Sequence, residues 1–319
     1  MAIRKLNDLL EYIQDKRVKT FIVVSANDIN TLSAVSRAVS EKLINAILIG
    51  NEPLIRLFFK KQPSILSKIR IVNQPDDEKA AMLAIEMINK GEGDALMKGL
   101  ISTDLFIKAI LNKENGLVES GSLLSHVAVI ENKNYHKLII AGDVAIIPVP
   151  DLKQKEIIIK YLVCTARKLG IDNPKVAVIA PTEKVVPTVV STIEAEILRK
   201  MNLSGQIQGC IIEGPLALDV ALDTESALTK GIENVVTGDA DCLLFANIDA
   251  GNVFYKTNTK LASSEVAAVL FGAKVPVVLT SRGDSILSKL YSLALAALMG
   301  LSEKETIRIR KNKENVPAN

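Results

Sequence analysis

Short aliphatic runs alternate with amphipathic stretches from one end of the chain to the other. The first run, KTFIVVSA (19–26), predicts a strand, and the polar start of 27–41 predicts a capped helix after it. INAILIG (44–50) repeats the pattern with a short helix over 52–60, and 68–72 predicts a third strand. The segment 76–90 has acids at its front, Lys90 at its end and Gly91 just beyond, which are helix start and stop signals. A strand over 94–97 then passes through Lys98 and Gly99 into a helix that starts at Ser102 or Thr103.

The middle of the chain reads differently. Two apolar runs, 123–131 and 136–141, are divided by the turn-like 132–134 and predict a hairpin. DVAIIPVPD (143–151) holds two prolines and leaves the first domain. Alternation resumes with a helix over 152–169, a strand over 175–180 and a helix over 187–200. A strand over 205–212, a helix over 225–230 and a strand over 241–246 follow. The last pair is a strand over 275–280 and a helix over 284–299. Such alternation predicts an α/β protein with largely parallel sheets, and 319 residues make two domains the default.

Composition sharpens this picture in two places. Hydrophobic residues are 48% of the chain but aromatic residues only 4%, with no Trp, so aliphatic side chains must fill the core. That disfavours a ligand platform built on ring stacking. Basic and acidic residues, 39 and 36, nearly balance at +3, which does not suit a nucleic-acid partner. Cys164, Cys210 and Cys242 stand far apart without a CxxC, so neither a disulfide framework nor a metal site is expected, and a cytoplasmic location is. The charged, amphipathic start does not read as a signal peptide, and no apolar run is long enough to suggest a membrane partner.

Candidate chemistry lies where strands are expected to end. The chain lacks GxxxxGK[ST], an early GxGxxG, GxSxG and HExxH. It does carry TSRGDS, in which Thr280, Ser281, Arg282, Gly283, Asp284 and Ser285 gather hydroxyls, a guanidinium and free N–H groups before a helix. Such a turn suits an oxyanion or phosphate, and equally a helix cap with a surface arginine. GNVFYK brings Asn252, Tyr255 and Lys256 after the strand 241–246, where a phenol and an ammonium side by side could face an acyl phosphate. MKGLIST places Lys98, Gly99, Ser102 and Thr103 at another strand-to-helix turn. Ser125 and His126 sit inside an apolar strand, where a buried, hydrogen-bonded histidine is the commoner outcome, and GPLALD (214–219) reads as a turn.

Together these segments resemble the phosphate acetyltransferase/phosphate butyryltransferase (phosphotransacylase) family along nearly the whole chain. The matching stretches are GDALMKGLIST (93–103), LLSHVAVIE (123–131), AGDVAIIPVPD (141–151), EGPLALDVA (213–221), VVTGDADCLLFANIDAGNVFYK (235–256) and PVVLTSRGDS (276–285). SHVAV and GPLALD resemble the butyryl branch, since the acetyl branch more often has an acidic segment at 213–215. The resemblance implies reversible transfer of an acyl group between coenzyme A and phosphate, directly within a ternary complex and without an acyl-cysteine. It implies two α/β domains with a cleft between them, in an isocitrate/isopropylmalate-dehydrogenase-like fold. The first domain would comprise 1–144 plus 284–319, and the second 145–283, carrying the dimerisation surface. No permanently bound cofactor and no metal are implied; acyl-CoA, phosphate and acyl phosphate are the partners, and a homodimer or higher homo-oligomer is expected.

Carried over residue by residue, the resemblance makes Ser281 and Arg282 catalytic. Substrate contacts fall to Tyr255, Lys256, Asn252, Lys98, Gly99, Ser102, Thr103, Ser125, His126 and Asp284. One departure stands out. Where the acetyl branch has an Asp seven residues after the Ser, proposed to deprotonate the thiol, this chain has Ser288, followed by Lys289. Asp284 and His126 are the other base candidates. A phosphate acetyltransferase is an alternative to a butyryltransferase, and the departure at Ser288 leaves room for a non-catalytic CoA- or acyl-phosphate-binding regulator of the same fold.

Overall fold

The computed structural model describes residues 2–301 except Asp15, Ser120 and Arg282. In chain order its elements begin α1 (Leu6–Gln14), β1 (Lys19–Val24), α2 (Ile29–Ser40), β2 (Ile44–Gly50), α3 (Glu52–Phe59), α4 (Pro63–Leu66), β3 (Ile69–Asn73), α5 (Asp77–Asn89), β4 (Ala95–Lys98) and α6 (Thr103–Ile110). They continue β5 (Ser125–Glu131), β6 (Ile139–Gly142), α7 (Leu152–Lys168), β7 (Lys175–Ile179), α8 (Val190–Leu203), β8 (Ile211–Leu216), α9 (Leu218–Leu222), α10 (Thr224–Thr229), β9 (Cys242–Leu244) and α11 (Ile248–Lys260). The last are β10 (Glu265–Phe271), β11 (Val277–Val278) and α12 (Ile286–Met299).

The chain divides into two compact units, each of them discontinuous. A peripheral unit contains Leu6–Leu124 and Ala267–Asn319, and a central unit contains Met1–Lys5 and Ser125–Val266. The expected cuts near 144 and 284 are therefore displaced. Hydrogen bonding explains the first displacement: β6 pairs in parallel with β9, which holds the hairpin in the central unit. The second has the same cause, because β11 pairs with β4 and brings 267–283 into the peripheral unit.

In the peripheral unit the strands run in the order β3-β2-β1-β4-β11, all parallel, with β10 antiparallel to β11. Phe21, Ile22, Val23 and Val24 of β1 are wholly buried, as an inner parallel strand covered on both faces requires. Side chains at i, i+3 and i+4 of α2 and α5 form their inner faces, and Asp28 and Asp76 cap them by accepting the N–H of Thr31 and Lys79. Each such cap is worth about 1 kcal/mol. Helix α12 is apolar nearly all round, and Leu290, Leu293, Ala294, Leu295 and Leu298 are buried; it packs against both α1 and α2. Fully burying one such leucine contributes about 1.5–3 kcal/mol.

In the central unit the order is β5-β6-β9-β7-β8. The predicted hairpin is present, with β5 antiparallel to β6 and Val127 opposite Gly142; the other pairings are parallel. Two expectations fail here, and two elements are unforeseen. The strand expected over 205–212 begins only at Ile211, because Asn202 ties the preceding segment into a turn by donating to Ile207 O and Cys210 O. GPLALD is not a simple turn: its first half ends β8 and its second half opens α9. Residues 248–260 form a helix that the sequence reading left out, and β10 was missed as well.

Candidate functional site

In an open parallel sheet, loops at the carboxyl ends of neighbouring strands share one edge, and ligands bind there. Parallel pairing of β1 with β4 and of β4 with β11 puts three such loops together in the peripheral unit. Val278 lies opposite Met97, so Thr280 and Ser281 emerge beside Lys98 and Gly99.

The three loops fit closely. Gly99 N–H donates to Val24 O and Leu100 N–H to Ser25 O, both at 2.8 Å, so the β4 loop lies flat on the end of β1. A Cβ on Gly99 would stand 2.6 Å from Val24 O, which leaves no room for any side chain. Lys98 is buried, with Nζ 3.3 Å from Gly99 O. Ser102 caps α6 by accepting Leu105 N–H at 3.3 Å, and Thr103, the first helical residue, is exposed. Ser25 donates to Asp77 Oδ1 at 2.7 Å and ties this edge to the start of α5.

The turn after β11 is held from both sides. Asp284, itself buried, accepts the Ser281 N–H at 2.6 Å. Lys289, on the first turns of α12, donates to Thr280 Oγ1 at 3.1 Å and to Ser281 O at 3.2 Å. Burial pushes the Lys289 ammonium below its ordinary pKa, while Asp28 and Asp284 work the other way. Ser285 caps α12 by accepting Ser288 N–H at 2.9 Å. Ser281 is exposed; its N–H and its C=O are both engaged, and its hydroxyl oxygen accepts the Gly283 N–H at 3.4 Å. Arg282 lies outside the described residues.

The remaining predicted residues belong to the central unit, grouped around a residue the sequence reading passed over. The Asp143 carboxylate is buried and accepts four hydrogen bonds: Ser125 Oγ–H and His126 N–H on one oxygen, Ala145 N–H and Ile146 N–H on the other, at 2.7–2.9 Å. In the sequence it stands at the end of an apolar run, within the family-like stretch AGDVAIIPVPD (141–151). The first turn of α11 packs onto the same loop, and a Cβ on Gly251 would run into the Asp143 carbonyl oxygen. Asn252 donates to Val144 O at 3.0 Å. Tyr255 is buried with its ring edge-on to His126, centroids 6.3 Å apart.

Tyr255 and Lys256 are neighbours on α11, one turned inward and one outward. Consecutive helical residues diverge by about 100°, so Tyr255 turns inward and Lys256 stands exposed, with Nζ 5.6 Å from the centre of the tyrosine ring. The structure thus gathers Lys98, Gly99, Ser102, Thr103, Ser281 and Asp284 in one unit and Ser125, His126, Asn252, Tyr255 and Lys256 in the other. That grouping differs from the expected one, in which Ser281 belonged with Tyr255.

Other chemistry finds little material. Cys210 and Cys242 are buried; burial pushes the Cys210 thiol up to about 11 and Cys242 well above its ordinary range, so neither is a ready nucleophile. Cys164 is exposed. Among the described residues no cluster of His, Cys, Asp and Glu could hold a metal ion, and no helix is long and apolar enough to cross a membrane.

Comparison with known proteins gives the geometry a setting. Residues 77–297 match the family model described as "Phosphate acetyl/butaryl transferase". A phosphate butyryltransferase of Clostridium acetobutylicum is 42% identical over 297 residues, covering 93% of this chain and 98% of that protein. A phosphate acetyltransferase of Thermotoga maritima is 40% identical over 293 residues, covering 92% and 99%. The crystal structure of a branched-chain phosphotransacylase from Enterococcus faecalis superposes with a TM-score of 0.77 at 28% identity, covering 89% of this chain and 99% of that one.

Proposed function

The chain belongs to the phosphate acetyl/butaryl transferase family, and from that premise we propose that it moves a butyryl or similar short acyl group between coenzyme A and inorganic phosphate. A phosphate oxygen attacks the thioester carbonyl, the C–S bond breaks, and the products are acyl phosphate and coenzyme A; the reverse step is attack of the thiolate on the acyl phosphate. Both directions build negative charge on the acyl oxygen, which fixed donors must stabilise. Ser281 serves the carbonyl or sulfur side through its hydroxyl, and Arg282 serves the phosphoryl oxygens. The substrate contacts assigned beside them are Lys98, Gly99, Ser102, Thr103, Tyr255, Lys256, Asn252, Ser125 and His126. The observation that carries this reading is the turn at the end of β11, where Ser281 is held by Asp284 and Lys289 beside the Lys98–Gly99 loop.

A carboxylate base is hard to find. Ser288 stands at the acetyl-branch position, and Asp284 is occupied with the Ser281 N–H. A thiol with a pKa of about 8.5 is already a few per cent ionised near neutrality, so positive charge can do the work of a base. The same reading gives the enzyme the isocitrate/isopropylmalate-dehydrogenase-like fold and a cytoplasmic location, with no bound cofactor. It also makes the enzyme a homodimer or higher oligomer, with the dimerisation surface on the central unit.

The test is release of coenzyme A from acetyl-, butyryl- and isobutyryl-CoA with and without phosphate. Phosphate-dependent release, fastest with a four-carbon chain, is the expected result. Release that ignores phosphate, or none from any substrate, overturns the reading. A clear preference for acetyl-CoA favours the second reading, a phosphate acetyltransferase, which the Thermotoga relative supports. Arg282→Ala should lose most of the activity and keep the fold.

A further inference from the structure

A buried ammonium normally sits against a carboxylate, because taking a charge out of water is expensive unless it is paired. Lys289 does not. It is 2% exposed, and among the described residues it forms no ion pair. Its two hydrogen bonds go to a hydroxyl, Thr280 Oγ1, and to a main-chain carbonyl, Ser281 O. Both acceptors belong to the turn that presents the Ser281 hydroxyl. The nearest influences of opposite charge are Asp28, which caps α2, and Asp284, whose own hydrogen bond is to the Ser281 N–H. The peptide groups on either side of Ser281 Cα are therefore fixed by side chains of opposite charge, one from the turn itself and one from the helix that follows.

A lysine in such a place has two structural alternatives that would be simpler. An apolar side chain would fill the volume without desolvating a charge. A neutral donor would satisfy the carbonyl. The retained ammonium holds the turn and also leaves a positive charge next to the residue assigned to the sulfur side.

We propose that Lys289 is a positioning residue for the acyl transfer, acting through Ser281: its ammonium fixes the Thr280 hydroxyl and the Ser281 carbonyl so that the Ser281 hydroxyl is aimed at the reacting acyl group. This role rests on the transferase reading above and deepens it. It also gives position 289 a function next to position 288, where the acetyl-branch carboxylate is missing. Lys289 itself moves no proton in this account.

The experiment is a double-mutant cycle on the full chain, with kcat and KM for phosphate and acyl-CoA measured for Lys289→Met, Ser281→Ala and the pair. Lys289→Met should lower kcat about 30-fold while both KM values stay within about threefold, because the interaction lost matters in the transition state. Lys289→Arg, which keeps the charge, should restore part of kcat. In the Ser281→Ala background the same Lys289→Met change should alter kcat by less than about threefold, since coupled residues are not additive. An undiminished loss in that background overturns the proposal, as does a Lys289→Met protein with wild-type kcat. If Lys289→Met fails to fold, Thr280→Val removes one acceptor and leaves the lysine in place; it should lower kcat several-fold with the same dependence on Ser281, and wild-type kcat there overturns the proposal. A silent wild-type protein would instead overturn the transferase reading and this role together, and is distinguished by the parent being inactive.

Discussion

The two groups of predicted site residues are built on opposite electrostatic plans. In the peripheral unit a buried cation, Lys289, collects acceptors, a hydroxyl and a carbonyl, and so orients the turn at the end of β11. In the central unit a buried anion, Asp143, collects donors: three backbone N–H groups and one hydroxyl from the loop after β6 and the start of β5. Among the described residues neither charge has an ion-pair partner. Each is satisfied by the ordered polar groups of the loop it organises, which works only if nearly every hydrogen-bonding site is used. The difference is one of purpose as well as sign. Asp143 is saturated inside its unit and reads as architecture, whereas Lys289 steadies an exposed serine.

Four measurements can break or sharpen this contrast. Asp143→Ala should be the most damaging, since it strands buried donors around an empty site; a loss of about 3–4 kcal/mol in urea unfolding is expected, and a loss below about 1 kcal/mol would deny the carboxylate its architectural role. Ser281→Ala should do the reverse, lowering kcat about 100-fold while the unfolding midpoint hardly moves, as a steady-state assay beside a melting curve will show. Gly99→Ala should cost about 1–3 kcal/mol, because its Cβ meets Val24 O at 2.6 Å; a neutral effect would mean that the two loops can separate.

The smallest effect concerns Asp239. Hydrogen bonds and charge from Lys137, Lys175 and His136 outweigh burial and hold its carboxyl well below the ordinary range. A depressed folded pKa stabilises above the ordinary carboxylate value and is lost as pH falls through the folded one. Because the side chain is 39% exposed, Asp239→Asn should cost only about 1 kcal/mol at neutral pH. That difference should shrink as the solution is acidified below about pH 4. A difference that grows with acid would contradict the sign.

Legibility in the sequence followed locality. The strand over 44–50 and the helix starting at Glu52 were readable because aliphatic alternation and the Asn51 cap lie within one short window. Helix α11 was not, since its Gly, Asn, Thr and Val residues have poor helix propensity and its stability comes from packing on the Asp143 loop. The boundaries of the two compact units were not legible for a related reason: the strand partners that fix them, β6 with β9 and β4 with β11, are separated by roughly a hundred residues or more. At the site, residue types were visible and partners were not. TSRGDS announced a turn, but nothing in it shows that Lys289 holds Ser281 from beneath or that Asp284 is already occupied. Asp143 was hidden because three of its four partners are backbone groups, which every residue but proline possesses.

The late pairing of β11 also sets a schedule for synthesis. The peripheral unit contains nearly the whole N-terminal third of the chain, yet an inner pairing of its sheet and its most apolar helix come from 277–299. A chain emerging from the ribosome can assemble the contiguous strands β5 to β9 before the first-made strands β1 to β4 receive β11 and α12. Until then the edge of β4 and the apolar surface meant for α12 must wait uncovered. The part made first waits for strands made much later, and the turn carrying Ser281 is in place only after β5 to β10 have been synthesised.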